Sequence, residues 1–177
     1  MKKLLSLLIC LALLLSPALA ENDIEDLPDA EARAVILEAM EVYAWFVLYP
    51  LDVNTEAPGT GDGLYPVFDD TLAHPQDMQA KLDEYFSDEI SRSLWSWNTY
   101  QVVNGWLYGL PPASSPLTRP IDPNISDVTY TLSEETVNKR VYTATVYYLT
   151  TEAPVKYQFV RVLQDGRWIF TEFPFFW

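Results

Sequence analysis

The apolar pattern of this chain changes period once, and that change restricts the fold more than any other feature. From Ala30 to about Tyr49, the residues Ala32, Ile36, Met40, Tyr43 and Val47 recur at three- or four-residue spacing, and Val35, Ala39 and Phe46 widen the stripe. This is the spacing of a core-facing amphipathic helix. Asp29 is the expected N-cap, Glu31 suits the positive end of the helix dipole, and Pro50 stops the run. Beyond residue 100 the period falls to two. Val128, Tyr130 and Leu132 alternate with Thr129, Thr131 and Ser133, as in a half-buried strand. Val141 to Leu149 is β-branched and aromatic, and Val155 to Leu163 carries Tyr157, Phe159, Val160 and Val162. Asp165-Gly166 then turns the chain into a last strand from Trp168 to Phe173.

Between the two regimes lie shorter signals. Pro75 fits the first position of a second helix with Met78, Leu82, Tyr85 and Phe86 as its apolar face. Ser87-Asp88-Glu89 caps a short third helix lined by Ile90, Leu94 and Trp97. Gln101 to Tyr108 is a hairpin turning at Asn104-Gly105, and a Pro-rich bridge runs from Pro111 to Pro123. Helices first and an antiparallel meander after them predict an α+β domain, with the N-terminal helices packed on one face of a curved antiparallel sheet.

The ends and the charge set the boundaries. Met1-Lys2-Lys3, an apolar run from Leu4 to Leu15 and the small residues closing at Ala20 read as a signal peptide over 1–20. That run of about 12 residues falls short of the ~20 a spanning helix needs, so a secreted chain with no membrane span is expected. Residues 21–28 form an acidic lead-in, and 29–177 are expected to be a single domain. Past residue 20, 9 Lys and Arg face 25 Asp and Glu, a balance of −16 that repels nucleic-acid phosphates. Cys10, the one cysteine, lies within the signal, so the mature chain is expected to hold itself by packing alone.

Few residues suggest catalysis. The single histidine, His74, stands before Pro75, and no Gly-x-Ser-x-Gly elbow exists, so a serine triad and a His-ligated zinc have no basis. Asp52-Val53-Asn54-Thr55-Glu56 starts like a calcium loop, but Ala57 stands where the sharp-turn glycine belongs. Asp62, Asp69 and Asp70 leave only an irregular calcium site open. No cofactor and no metal is expected. The loop over 50–70 is long enough to be functional, and Leu64, Tyr65, Val67 and Phe68 are expected to tack down its second half. Trp95, Trp97, Tyr100, Trp106 and Tyr108 cluster within 14 residues. Alternation puts Trp106 and Tyr108 on one face of the hairpin and Leu107 on the other. The closing Phe173-Pro174-Phe175-Phe176-Trp177 is expected to fold back on the sheet or the first helix.

The closing hairpin, Val160 to Phe170 with Asp165-Gly166-Arg167-Trp168 at its turn, resembles the end of NTF2-like (cystatin-like, cone-shaped) domains. The succession of Tyr65 to Phe68, Pro75 to Phe86, Ser87-Asp88-Glu89 and Val103-Asn104-Gly105-Trp106-Leu107-Tyr108 resembles exported proteins of the IseA type, which inhibit D,L-endopeptidases of the bacterial cell wall. Trp106 departs from that pattern, which usually has a polar residue there. The resemblance covers roughly residues 64 to 173. It implies a non-enzymatic protein of the cell envelope that docks on a peptidoglycan hydrolase of the NlpC/P60 type and occludes its cleft. Under that reading the loop carboxylates Asp62, Asp69 and Asp70 make the contact, with Tyr65, Trp106 and Tyr108 as anchors. The alternative is an NTF2-like small-ligand or glycan-binding module or, less favoured, an isomerase or dehydratase. Its pocket would be lined by Tyr142, Tyr148 and Trp168 around Glu172. A filled sheet interior favours the inhibitor, and an open pocket at Glu172 favours the enzyme.

Overall fold

The first helix, α1 (Pro28–Val47), is apolar around most of its circumference rather than along one stripe. The computed structural model describes residues 28–111 and 122–176 and shows why. One side of α1 lies along strand β4 (Ile125–Glu135), and another meets α2 (Pro75–Tyr85) and α3 (Asp88–Trp95). Ala32, Ile36, Ala39, Met40, Val42 and Phe46 are all buried, as expected of a helix enclosed on two sides. α1 is described from Pro28, and Asp29 lies within the helix rather than ahead of it. At its other end Tyr100 closes the helix. The Tyr100 hydroxyl donates to the Trp45 carbonyl at 3.0 Å and accepts from the Leu51 N–H at 2.8 Å. The Thr99 hydroxyl donates to the Phe46 carbonyl. These bonds satisfy carbonyls that a helix C-terminus otherwise leaves orphaned.

α2 begins at Pro75 and α3 is capped by Ser87, whose side chain accepts from the Ile90 N–H. α3 ends at Trp95, and Asn98 enters the left-handed region at φ 55°. Trp97 therefore leaves the helix and is 60% exposed, contrary to its expected place on the apolar side of α3.

The strands form two antiparallel sheets, where the sequence led us to expect one. The larger follows the order β4–β5 (Lys139–Tyr148)–β6 (Val155–Gln164)–β7 (Arg167–Glu172). The smaller joins β2 (Tyr100–Val103) and β3 (Trp106–Gly109) to a two-residue strand β1 (Tyr65–Pro66), in the order β1–β3–β2. Thus the hairpin takes its third strand from the preceding loop and not from the meander that follows. Pro66 lacks an N–H, which suits it to that outer position. Both two-residue turns have positive φ at each central residue, 53° and 83° at Asn104-Gly105 and 50° and 77° at Asp165-Gly166. α2 links the two halves. Phe86 bridges Phe170 of β7, and the Ser87 N–H donates to the Phe170 carbonyl at 2.9 Å.

Register divides the large sheet into two faces. Tyr142 pairs with Leu132 and Phe159, and Ala144 with Tyr130 and Tyr157, so these side chains share the face that α1 covers. Thr143 and Thr145 pair with Thr131 and Thr129 on the other, polar face. The closing segment does fold back. The Phe173 ring meets Phe170, Phe159 and Phe86 edge-on at 4.9, 5.0 and 5.1 Å and stacks on Tyr43 of α1 at 5.3 Å. Phe176 stacks on Tyr157 at 4.7 Å.

The edge strand β4 carries two bulges, at Ser126 and Ser133. Both extra residues bond back to β5: the Ser126 hydroxyl donates to the Tyr147 carbonyl at 2.9 Å, and the Ser133 and Thr143 hydroxyls lie 2.5 Å apart. The expected signal peptide over 1–20, the lead-in up to residue 27, the Pro-rich stretch 112–121 and Trp177 lie outside the described residues. Among those described, no helix is long and apolar enough to cross a membrane.

Candidate functional site

The 50–70 loop is a two-armed excursion folded onto the small sheet. Its arms pair through Phe68 N–H to Asp52 carbonyl and Asn54 N–H to Pro66 carbonyl, each 2.8 Å, with Val53 opposite Val67. The Val67 N–H then donates to the Leu107 carbonyl at 2.9 Å, and the Leu107 N–H to the Ala73 carbonyl at 2.8 Å. Leu64 and Val67 are the buried tacks that hold the second arm, whereas Phe68 is 66% exposed and does not tack it down. Gly59 permits the fold: a Cβ there would stand 2.8 Å from the Leu64 carbonyl oxygen and 3.0 Å from the Tyr65 ring. The calcium-loop resemblance at 52–56 resolves into an Asx turn, with Asn54 Oδ1 accepting from the Glu56 and Ala57 N–H groups at 3.1 and 3.3 Å. Among the described residues, no three His, Cys, Asp or Glu side chains gather as a metal site requires.

The six expected contact residues fall into two groups. Trp106 and Tyr108 share a face of β3 opposite the fully buried Leu107, and Trp106 is 49% exposed. Asp69 and Asp70 are exposed where the loop leaves β1 and runs toward the β2–β3 turn, the end that holds Trp106. Asp69 orders this bend by accepting from the Thr71 N–H at 2.8 Å and the Thr71 hydroxyl at 2.6 Å. Asp62 is exposed at the loop tip, beyond the opposite end of the sheet. Tyr65 pairs with Gly109, so it has the facing of Leu107 and not that of Trp106 and Tyr108. The structure thus brings Asp69, Asp70, Trp106 and Tyr108 to one end of the small sheet and leaves Asp62 and Tyr65 away from them.

Three further groups belong to that end. Phe68 adds an exposed ring immediately before Asp69. His74 supports Trp106, with ring centroids 4.1 Å apart and Nδ1 3.0 Å from the Gly105 carbonyl oxygen. Asp69 also lines an open groove of about 470 Å³ with Trp45, Asp77 and Glu84, where Lys81 pairs with Glu84 at 2.5 Å. The Phe68-Asp69-Asp70 order was visible in the sequence, but the joining of Asp69 to α2 depends on the loop's path.

The alternative pocket is not assembled. Tyr142 is 2% exposed in the packed face of β5, and Trp168 lies beneath the Arg140 guanidinium at 4.7 Å. A bulge at Thr171 pairs Glu172 with Val160, which puts Glu172 on the opposite face from Tyr142, and it is exposed there. Tyr148 instead pairs with Tyr157, hydroxyl to hydroxyl at 3.0 Å. That bond, assisted by burial and by the Asp122 charge, pushes the Tyr148 phenol up to about 12.

Fold and site together define an α+β protein with two antiparallel sheets and an acidic, aromatic surface beside a filled core. No family model matches the chain, and no curated protein aligns with it significantly.

Proposed function

We propose that this chain is a secreted, non-enzymatic protein of NTF2-like, cystatin-like descent that binds and inhibits a cell-wall D,L-endopeptidase. One observation carries the reading. The large sheet's covered face is filled by Tyr142, Phe159, Phe170 and Phe173, while aromatic rings and carboxylates stand exposed together at the end of the small sheet. An enzyme or ligand cone needs the reverse arrangement, with an acid facing an open interior.

The contact is made by Phe68 and Trp106 as apolar anchors, with Asp69 and Asp70 beside them. Exposed rings of this kind supply much of the binding energy at interfaces. The open groove bounded by Asp69, Asp77 and Glu84 accepts a lysine or arginine from the target. The balance of −16 past residue 20 speeds encounter with a basic, wall-binding enzyme.

The test titrates residues 21–177 into a purified NlpC/P60-type endopeptidase digesting cell walls. Dose-dependent loss of hydrolysis with a stoichiometric complex, weakened at least tenfold by Trp106→Ala, is the expected result. Undiminished hydrolysis and no complex across several such enzymes would sink the reading.

A further inference from the structure

A second concave site lies between α1 and β4, apart from the loop and hairpin surface and independent of the hydrolase reading. It is an open groove of about 380 Å³ whose walls are Leu37, Ile125, Val128 and Phe176. Arg33 of α1 and Tyr130 of β4 also line it, and each carries a hydrogen-bond donor. Asp127 stands at its rim and accepts a hydrogen bond from the Val128 N–H at 2.8 Å.

Arg33 is unusual for this molecule. The other four described arginines each reach a protein oxygen: Arg92 the Asp88 carbonyl, Arg140 the Glu135 carboxylate, Arg161 the Trp168 carbonyl and Arg167 the Asp83 carbonyl. Arg33 reaches none among the described residues, although acidic residues outnumber basic ones by 25 to 11 in the chain. The Arg33 charge acts on Tyr130, which is 7% exposed, and partly offsets the burial that raises its phenol. Apolar walls with a few convergent polar groups are the usual make-up of a small-molecule site.

We infer that this groove binds an amphipathic monocarboxylate. The carboxylate accepts from Arg33 and Tyr130, and the apolar body lies along Leu37, Ile125, Val128 and Phe176. Asp127 disfavours a second negative charge at the rim, which selects against phosphate esters and dicarboxylates. Straight-chain fatty acids and arylalkanoic acids share the required chemistry.

The test follows the methyl resonances of Leu37, Ile125 and Val128 by NMR while the full chain is titrated with decanoate, 4-phenylbutyrate or decanol. Saturable shifts confined to these methyls are expected with one or both acids, and the better acid identifies the ligand source. Decanol should bind at least about tenfold more weakly than decanoate. Arg33 is exposed, so Arg33→Gln should fold normally and lose about tenfold in affinity for either acid, and Tyr130→Phe should lose several-fold. Absence of shifts with both acids, equal binding of decanol and decanoate, or unchanged affinity in Arg33→Gln would each overturn the assignment.

Discussion

Single side chains in this core differ widely in what they contribute. Phe173 touches four rings from four parts of the chain, so Phe173→Ala should lower unfolding stability by about 3–5 kcal/mol in urea titration. Ser91 acts in the opposite direction. It is 1% exposed on α3, and its hydroxyl has no hydrogen-bond partner among the described residues. Ser91→Ala removes that desolvated group and improves helix propensity, so it should raise stability by about 1 kcal/mol in the same titration. The Tyr148–Tyr157 pair gives a pH signature. Because the folded protein holds the Tyr148 proton up to about 12 and the unfolded chain releases it near 10.0, the folded state binds more protons between those values. Stability should therefore be flat below pH 10 with respect to this group and fall between pH 10 and pH 12. Tyr157→Phe should reduce that slope, as read by denaturation at stepped pH.

At the scale of elements, Tyr100 shows what local pattern can and cannot tell. The sequence marks it as one aromatic in a cluster, with nothing to separate it from Trp95 or Trp97. Its function is positional: it ties the end of α1 to the start of β2 and the loop by two backbone hydrogen bonds while its ring sits edge-on to Phe46 at 5.3 Å. Tyr100→Phe keeps the ring but leaves two backbone groups unpaired, and should cost about 2–4 kcal/mol. Hydrogen exchange at the Leu51 amide should accelerate in that variant, and unchanged exchange would show that the tie is dispensable. Helices and hairpins were legible because their signals are local: Pro75, Ser87, Asn104-Gly105 and Asp165-Gly166 each fix a boundary by backbone chemistry alone. The partner of the first hairpin was not legible. Tyr65-Pro66 reads as loop until Leu107 and Gly109 are brought beside it, and pairing across some forty residues leaves no periodic trace. The same holds for Glu172, whose face is set by a bulge at Thr171 and not by alternation. Trp106 and Tyr108 were correctly grouped because alternation within one hairpin is local, while Asp62 and Asp69 were separated by a fold of the loop that composition does not encode.

For the molecule as a whole, the two sheets are joined through α1, α2 and the phenylalanine cluster, so packing must hold them in place without the help of a covalent link. The one cysteine, Cys10, cannot form an intramolecular bridge. Such a molecule must also avoid its own copies. β4 is 11 residues long and forms one border of the large sheet, which makes it an open template for another chain. The bulges at Ser126 and Ser133 break that border into short, differently twisted pieces, and their hydroxyls hold each kink against β5. Deleting Ser133 would straighten the strand and restore a continuous row of unpaired amides and carbonyls. That variant should form thioflavin-binding aggregates at concentrations where the parent chain scatters no light, and a monomeric, clear solution would show that the kinks do not serve this purpose. On this view two serines bonded only to their own sheet set how crowded a solution this protein can tolerate.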